Sequence, residues 1–198
     1  MNVAVVKLGV GNTASVMFAL ERLGARAILT EDASRIADAE RVILPGVGAA
    51  AYAMDLLNAK GLRAAVAQFS RPLLGICLGQ QLLFESSEEG DARGLGLLHG
   101  RVMRLPASPQ APSPHMGWSK LHRARPHALL DGVDDGAYVY FVHSYVCPIS
   151  EDTLASADYG QRFAAVVGKG NIFGCQFHPE RSGAVGAQIL RNFLRLPC

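Results

Sequence analysis

The sequence has few charged residues and almost no excess of either sign. Only 18% of its 198 residues are Asp, Glu, Lys or Arg, and the formal net charge is +2. No run of Lys or Arg occurs anywhere in the chain. Because binding to nucleic acid or to an anionic membrane needs a concentrated positive surface, the composition argues against both kinds of partner.

Cysteine is also scarce, and the cysteines are widely spaced. Cys77, Cys147, Cys175 and Cys198 include no CxxC pair, so neither a disulfide framework nor a zinc site is predicted. No apolar stretch approaches membrane-spanning length, and the first residues lack the basic start and cleavage site of a signal peptide. We therefore expect a cytoplasmic protein that holds no metal and needs no cofactor.

Hydrophobic residues, in contrast, make up 49% of the chain, and their pattern predicts a single α/β domain over residues 1–198. Strand-like and helical segments alternate in the first half, which predicts a mainly parallel, twisted sheet flanked by helices. The second half has four prolines between positions 106 and 114 and then mostly strands, which predicts an antiparallel extension. The predicted strands are 3–6, 25–29, 41–44, 72–76, 138–142, 154–157, 163–167 and 172–177, and the predicted helices are 13–23, 49–57, 64–69 and 185–194.

The most informative segment places one cysteine between two glycines, in Gly75-Ile76-Cys77-Leu78-Gly79. It follows an apolar, strand-like run and precedes residues 80–85, whose composition favours a helix. A sharp strand-to-helix turn forces its central residue into strained φ/ψ angles and crowds the positions two before and two after it. The pattern therefore predicts a nucleophile elbow, with the thiol at a helix N-terminus where the dipole favours thiolate.

A second segment, His178-Pro179-Glu180, supplies a base and a carboxylate close to a strand end. If this tripeptide is extended, the two side chains point the same way, and the carboxylate orients its own imidazole. Both the elbow and this segment lie at the carboxyl ends of predicted strands, where doubly wound sheets place their sites. They predict a Cys-His-Glu triad for acyl transfer, with oxyanion donors from the Leu78 N–H and the glycine-rich turn 45–48.

These motifs carry a resemblance to a known family. Residues 75–83, 45–48 and 176–180 resemble the class I, or triad, glutamine amidotransferases, and residues 114–118, 140–145 and 178–183 narrow the resemblance to the glutaminase subunits of imidazole glycerol phosphate synthases. The resemblance covers essentially the whole chain. It implies a flavodoxin-like fold and hydrolysis of L-glutamine to L-glutamate through a cysteinyl thioester, with the ammonia passed to a barrel-fold (β/α)8 synthase subunit in a heterodimer.

The resemblance also assigns roles to residues. Cys77 would attack the side-chain amide, His178 would protonate the departing ammonia, and Glu180 would orient the imidazole. The oxyanion would be held by the backbone N–H groups of Leu78 and, once its turn has flipped, Val47. The substrate would be held by residues at five positions, and four further residues would lie at the partner interface: Gly46, Gly48, Gln81, Ser144 and Tyr145, then His115, Met116, Gly117 and Trp118.

Three positions depart from the family pattern, and other functions stay open. Lys7 stands in a segment that is usually Asp-Tyr-Gly, Gln80 replaces a frequent methionine, and Ser119 replaces a common asparagine. The segment 9–14 matches G-x-G-x-x-[GA] after a strand, with Glu31 and Asp32 near the next strand end, which taken alone favours a dinucleotide-binding oxidoreductase. A non-catalytic relative and a glutaminase serving another synthase are further alternatives.

Overall fold

The computed structural model describes residues 2–9 and 13–198. Helices and strands alternate through the first part of the chain, as the pattern predicts. They are β1 (Asn2–Val6), α1 (Thr13–Arg22), β2 (Arg26–Thr30), α2 (Ala33–Asp38), β3 (Arg41–Gly46), α3 (Ala50–Ala59), α4 (Arg63–Ala67), β4 (Leu73–Cys77) and α5 (Leu78–Leu82). Every residue of β3 and of β4 is buried, which is typical of parallel strands covered on both faces.

The second part is mostly strand, and one long helix closes the chain. Its elements are β5 (Phe84–Ser87), β6 (Ala92–Arg93), β7 (Leu98–Arg104), β8 (His115–Lys120), β9 (His122–Arg123), β10 (Tyr138–His143), β11 (Tyr145–Val146), β12 (Thr153–Tyr159), β13 (Gln161–Lys169), β14 (Ile172–Cys175) and α6 (Gly183–Arg195). None of the helices in the described ranges is long and apolar enough to cross a membrane.

The main sheet has eight strands in the order β2-β1-β3-β4-β14-β13-β12-β9. The pairs from β2 to β14 are parallel, and those from β14 to β9 are antiparallel. This confirms the predicted parallel sheet with an antiparallel extension in the second half. The parallel part has the strand order of flavodoxin-like sheets, so its carboxyl edge is where a site is expected. Apolar clusters cover both faces of this sheet.

Two smaller sheets flank the main one, and the sequence pattern missed most of their strands. One has the order β11-β7-β5-β6, and the other is an antiparallel ribbon of β8 and β10. The predicted helix over residues 80–85 is confirmed only as far as Leu82, because α5 ends there and Phe84 begins β5, which pairs with β7. The side chain of Phe84 is 1% exposed, so packing rather than local propensity decides its conformation.

Candidate active site

Cys77 lies at the junction of β4 and α5 in a backbone conformation that few residues other than glycine adopt, with φ +54° and ψ −110°. The glycines on either side leave no space for a side chain. A Cβ on Gly75 would lie 2.5 Å from the backbone oxygen of Gly79, and a Cβ on Gly79 would lie 1.8 Å from the backbone oxygen of Leu44. The strand, turn and helix therefore form the nucleophile elbow that the glycine spacing predicts.

His178 and Glu180 meet at the carboxyl edge of the same sheet, just after the neighbouring strand β14 ends. The Nδ1 atom of His178 lies 2.8 Å from Oε1 of Glu180, and the two side chains are only 8% and 3% exposed. The extended conformation expected for this tripeptide is wrong, because Pro179–Arg181 forms a 3₁₀ turn. The turn still directs the carboxylate to the imidazole, so the predicted contact forms through a turn and not through extended backbone.

The electrostatics of His178 suit a residue that carries a proton. Burial lowers the pKa of His178, but its interactions with Cys77 and with the Glu180 carboxylate outweigh burial and raise the pKa to about 10. The Nε2 atom makes no hydrogen bond of ordinary geometry with the part of the chain that the structure describes, although the thiol is near enough to influence the pKa. This nitrogen is therefore available to exchange a proton with the thiol and with a substrate.

The thiol of Cys77 has two further polar neighbours that sequence reasoning missed as functional. The amide of Gln176 donates to Sγ over 3.7 Å, and Sγ lies 3.7 Å from the carbonyl oxygen of Val142. Gln176 is wholly buried, and its Oε1 accepts a 3.0 Å hydrogen bond from Gln81. No signal marks Gln176 in the sequence beyond its place in the motif that also contains His178.

Four of the five predicted substrate-binding residues come together in one cleft. A cavity of about 280 Å³ opens beside the thiol, and its lining includes seven of the predicted site residues, namely Val47, Gly48, Cys77, Leu78, Gln81, Ser144 and Tyr145. Gly46 lines a second cavity of about 170 Å³, together with His178 and Glu180. Val47 and Val142 line both cavities, so the two spaces adjoin at the turn that follows β3.

Glu89 also lines the cleft, although no motif in the sequence marks it. It stands in the acidic stretch Glu88-Glu89-Gly90-Asp91, whose composition is typical of an ordinary solvated turn. In the structure its Oε2 accepts a 2.7 Å hydrogen bond from the backbone N–H of Ala50. Burial raises the pKa of Glu89, and this hydrogen bond opposes the shift. The cleft thus has a carboxylate that can pair with a cationic group of a ligand.

The β8–β10 ribbon places the predicted interface residues on two different faces. Side chains alternate along β8, so Met116 and Trp118 point outward and are 63% and 54% exposed. Tyr138 adds to the same exposed face from the paired strand. His115 is only 1% exposed and points inward, so its side chain is not part of that surface.

The three departures from the family pattern differ in their surroundings. Lys7 is exposed at the end of the first strand. Gln80 is fully buried and donates a 3.1 Å hydrogen bond to the carbonyl oxygen of Ala164, and its side chain fills the space that the missing side chain of Gly174 leaves. Ser119 bonds to His115 over 2.9 Å. For the glycine motif 9–14, residues 10–12 lie outside the described residues.

The fold and the elbow define a class of protein. The chain belongs to the class-I glutamine amidotransferase family, since the model of that family, Glutamine amidotransferase class-I, matches residues 5–196. Among solved structures, PurLQS from Thermotoga maritima is similar with a TM-score of 0.73 and 22% identity, covering 98% of this chain and 97% of the other. That likeness supports the fold alone.

Curated relatives place the chain more narrowly. Imidazole glycerol phosphate synthase subunit HisH of Xanthomonas axonopodis pv. citri (strain 306) is 51% identical over 195 residues, which cover 98% of both chains. The HisH subunit of Xylella fastidiosa (strain Temecula1) is 51% identical over 194 residues, which cover 98% of this chain and 97% of the relative. Within the amidotransferases, the chain therefore belongs with the HisH subunits.

Proposed function

We propose that this enzyme is the glutaminase subunit of an imidazole glycerol phosphate synthase, and that residues 1–198 act as one glutaminase domain in the cytoplasm. It hydrolyses L-glutamine to L-glutamate and supplies the ammonia for histidine biosynthesis. The observation that carries the proposal is the strained Cys77 elbow beside the buried pair of His178 and Glu180. The full-length similarity to HisH subunits supports the choice of pathway.

The proposed reaction begins with attack of the Cys77 sulfur on the side-chain carbonyl carbon of glutamine. The C–N bond then breaks, and protonated His178 gives its Nε2 proton to the leaving nitrogen, which departs as ammonia. Water attacks the resulting thioester while His178 takes up a proton, and glutamate leaves with the thiolate restored. Glu180 holds the imidazole in position and stabilises its protonated form.

The proposed oxyanion site lies between the elbow and the turn after β3. The backbone N–H of Leu78, the first residue of α5, is one donor, and that of Val47 is the second once its turn has flipped. Gly48 in that turn has φ +101°, which favours glycine. A Cβ added to Gly46 would lie only 3.2 Å from the side chain of Leu78. Both glycines therefore keep the turn close to the elbow.

The proposed binding site for the amino-acid end of glutamine is the wall formed by Gln81, Ser144 and Tyr145. Gln81 donates to the carbonyl oxygen of Tyr145 over 3.0 Å, so this wall is braced before substrate arrives. Glu89 extends the wall with a carboxylate, which suits the α-ammonium group of the substrate. Binding this group would anchor glutamine with its side-chain amide towards the thiol.

The proposed partner is a barrel-fold synthase subunit, bound as a heterodimer. Ammonia released into neutral water is mostly protonated and loses the lone pair that the synthase reaction needs, so release into a closed space preserves the nucleophile. The exposed face with Met116 and Trp118 lies on the β8–β10 ribbon, whose residue Val142 lines the cleft. We propose this face, with the neighbouring Gly117, as part of the interface; His115 would support it from within.

The test is reconstitution with a barrel-fold imidazole glycerol phosphate synthase subunit and its nucleotide ligand. We expect weak glutamate release from the chain alone and strong release in the complex. If no such subunit stimulates release, the pathway assignment is wrong. If ammonia release occurs but bypasses the synthase reaction, the chain is a glutaminase for a different acceptor.

Truncation of Trp118 tests the interface. Trp118→Ala should weaken binding to the synthase subunit by about 30-fold, because an exposed tryptophan at the centre of an interface contributes roughly 2 kcal/mol or more. Calorimetric titration measures the affinity. Ile149→Ala is the matched control, since Ile149 is also about half exposed and lies outside the ribbon. Equal affinities for the two variants would place the interface elsewhere.

Removing the charge of Glu180 tests its role. Glu180→Gln keeps the size of the side chain but removes the anion that raises the pKa of His178, so this pKa should fall. Because the protonated imidazole donates to the leaving nitrogen, the alkaline limb of the kcat profile should move to lower pH. We expect kcat at neutral pH to fall roughly 10² to 10⁴-fold.

The exposed loop residue Glu151 provides the control for this change, as Glu151→Gln removes the same charge outside the site. An unchanged pH profile in Glu180→Gln would show that the carboxylate does not tune the imidazole.

A further inference from the structure

Two buried histidines of the β8–β10 ribbon extend the polar contacts of the cleft. His143, the last residue of β10, lines the cleft, and its Nδ1 lies 2.9 Å from the carbonyl oxygen of Tyr145. Its Nε2 lies 3.0 Å from Nδ1 of His115, the first residue of β8. Nε2 of His115 lies 2.9 Å from the hydroxyl of Ser119. The three side chains form a line of hydrogen bonds that starts at the cleft and crosses the ribbon from β10 to β8.

The Tyr145 carbonyl, at the inner end, fixes the direction of every hydrogen bond in this line. A carbonyl oxygen only accepts, so Nδ1 of His143 carries the hydrogen and, in a neutral ring, Nε2 accepts. His115 must then donate from Nδ1, which leaves its Nε2 to accept from the Ser119 hydroxyl. Only one tautomer of each ring fits, and the pattern holds as long as both rings are neutral.

The surroundings of both rings keep them neutral. His115 is stacked between the rings of Tyr159 and Phe141, with centroids 3.9 Å and 4.8 Å away, and Phe163 lies edge-on to His143 at 5.1 Å. Burial lowers the pKa of His143 to about 3 and that of His115 to about 4. The protonated imidazole of His178 acts in the same direction on His143.

At the inner end, the line continues to the nucleophile. The Tyr145 carbonyl oxygen accepts a second hydrogen bond from Nε2 of Gln81, which also donates to Oε1 of Gln176. Gln176 in turn donates to Sγ of Cys77. The position of the Tyr145 carbonyl therefore affects both the wall proposed to bind glutamine and the amide that contacts the thiol.

At the outer end, the line reaches the strand that carries the exposed face of the ribbon. Ser119 follows Trp118 directly on β8, with its side chain on the inward face. His115 and His143 are themselves a directly opposed pair of β8 and β10. Any displacement of β8 by a partner that contacts Trp118 would therefore act on the hydrogen bonds of both rings.

We propose that His143 and His115 are positioning residues for the glutaminase. They hold the Tyr145 carbonyl, and through it Gln81 and Gln176, in the arrangement that the thiol needs, and Ser119 connects them to the surface that carries Trp118. This proposal rests on the proposed function, because its main readout is glutamine hydrolysis.

A pair of amide substitutions separates this role from simple packing. The amide of asparagine lies near the position of Nδ1, and that of glutamine lies near Nε2. His143→Asn can therefore keep the donor to Tyr145, whereas His143→Gln keeps the partner of His115 and leaves Gln81 as the donor to the Tyr145 carbonyl. In the complex with the synthase subunit, we expect His143→Gln to lower kcat/KM about 10-fold with a raised KM, which corresponds to the loss of one of the two hydrogen bonds that hold this carbonyl. His143→Asn should stay within about 2-fold of the wild type.

Variants of Ser119 test the connection between His115 and the surface that carries Trp118. Ser119→Ala removes the hydroxyl that donates to Nε2 of His115, and should lower the stimulation of glutamate release by the partner about 3 to 10-fold at saturating partner. Ser119→Asn restores a donor and should recover most of this stimulation. His127→Asn, which changes a histidine that caps a 3₁₀ turn at residues 128–130, is the control for general effects of removing an imidazole.

Nitrogen NMR of labelled histidine provides a readout that does not depend on catalysis. Both His143 and His115 should be neutral and protonated on Nδ1 at pH 7. An Nε2-protonated tautomer at either ring, or equal losses of kcat/KM in His143→Gln and His143→Asn, would overturn the proposal. A wild-type complex that releases no glutamate would overturn the proposed function instead, and the tautomers would then decide whether the line of hydrogen bonds exists.

Discussion

Cys77→Ala should abolish glutamate release, with a loss of at least about 10⁴-fold in the complex with the synthase subunit, because no covalent intermediate can form without the thiol. Alanine keeps the Cβ that cysteine already has at this strained position, so the backbone of the elbow should not change. The variant should therefore fold and bind glutamine. Glutamate release under saturating glutamine measures the effect, and thermal unfolding checks the fold.

The other cysteines make this test specific. Cys175 is buried, and burial raises its pKa well above that of an ordinary thiol, so it cannot replace Cys77 as a nucleophile. Cys198 is exposed and lies at the far end of the chain. Cys198→Ser is the matched control and should keep full activity. Undiminished turnover in Cys77→Ala would rule out the thioester mechanism.

Gly79→Ala should have the second large effect, this time on folding. The added Cβ would lie 1.8 Å from the backbone oxygen of Leu44, which is part of the fully buried strand β3. This oxygen belongs to the backbone and not to the flexible end of a side chain, so α5 would have to move away from β3. We expect the free energy of unfolding to fall by roughly 4 kcal/mol or more, as for other severe core changes.

A glycine with open space around it provides the comparison. Gly136 has φ +80°, and a Cβ added to it would have no atom of the described residues within 4 Å, so Gly136→Ala adds only the strain of a left-handed alanine, about 1 kcal/mol. Urea unfolding of both variants measures the difference. Similar losses would mean that the close approach of α5 to β3 relaxes at little cost.

The parallel half of the fold and the elbow were predictable from the sequence because each has a local signal. Mostly apolar segments such as 41–44 and 72–76 suit strands that are covered on both faces, and β3 and β4 are such strands. Glycine at both positions 75 and 79 indicated a close approach of backbone segments, as in the turn of a nucleophile elbow. Both signals come from a few neighbouring residues and need no knowledge of distant contacts.

The flanking sheets and part of the site were not predictable because they depend on contacts between residues that are distant in sequence. Phe84 follows residues that favour a helix, yet it pairs with Leu98 in β5 and β7. Gln176 becomes a neighbour of the thiol only because β14 lies beside β4. The role proposed for His143 likewise depends on its opposition to His115 across the ribbon.

The five residues of the elbow carry two kinds of information, one about the fold and one about the chemistry. Gly75 and Gly79 are required by the approach of the backbone segments around them, whatever side chain stands between them. A descendant of this chain that had lost Cys77, and with it the chemistry, would still need both glycines to fold. The glycines therefore indicate ancestry, and only the residue between them indicates whether such a protein is still an enzyme.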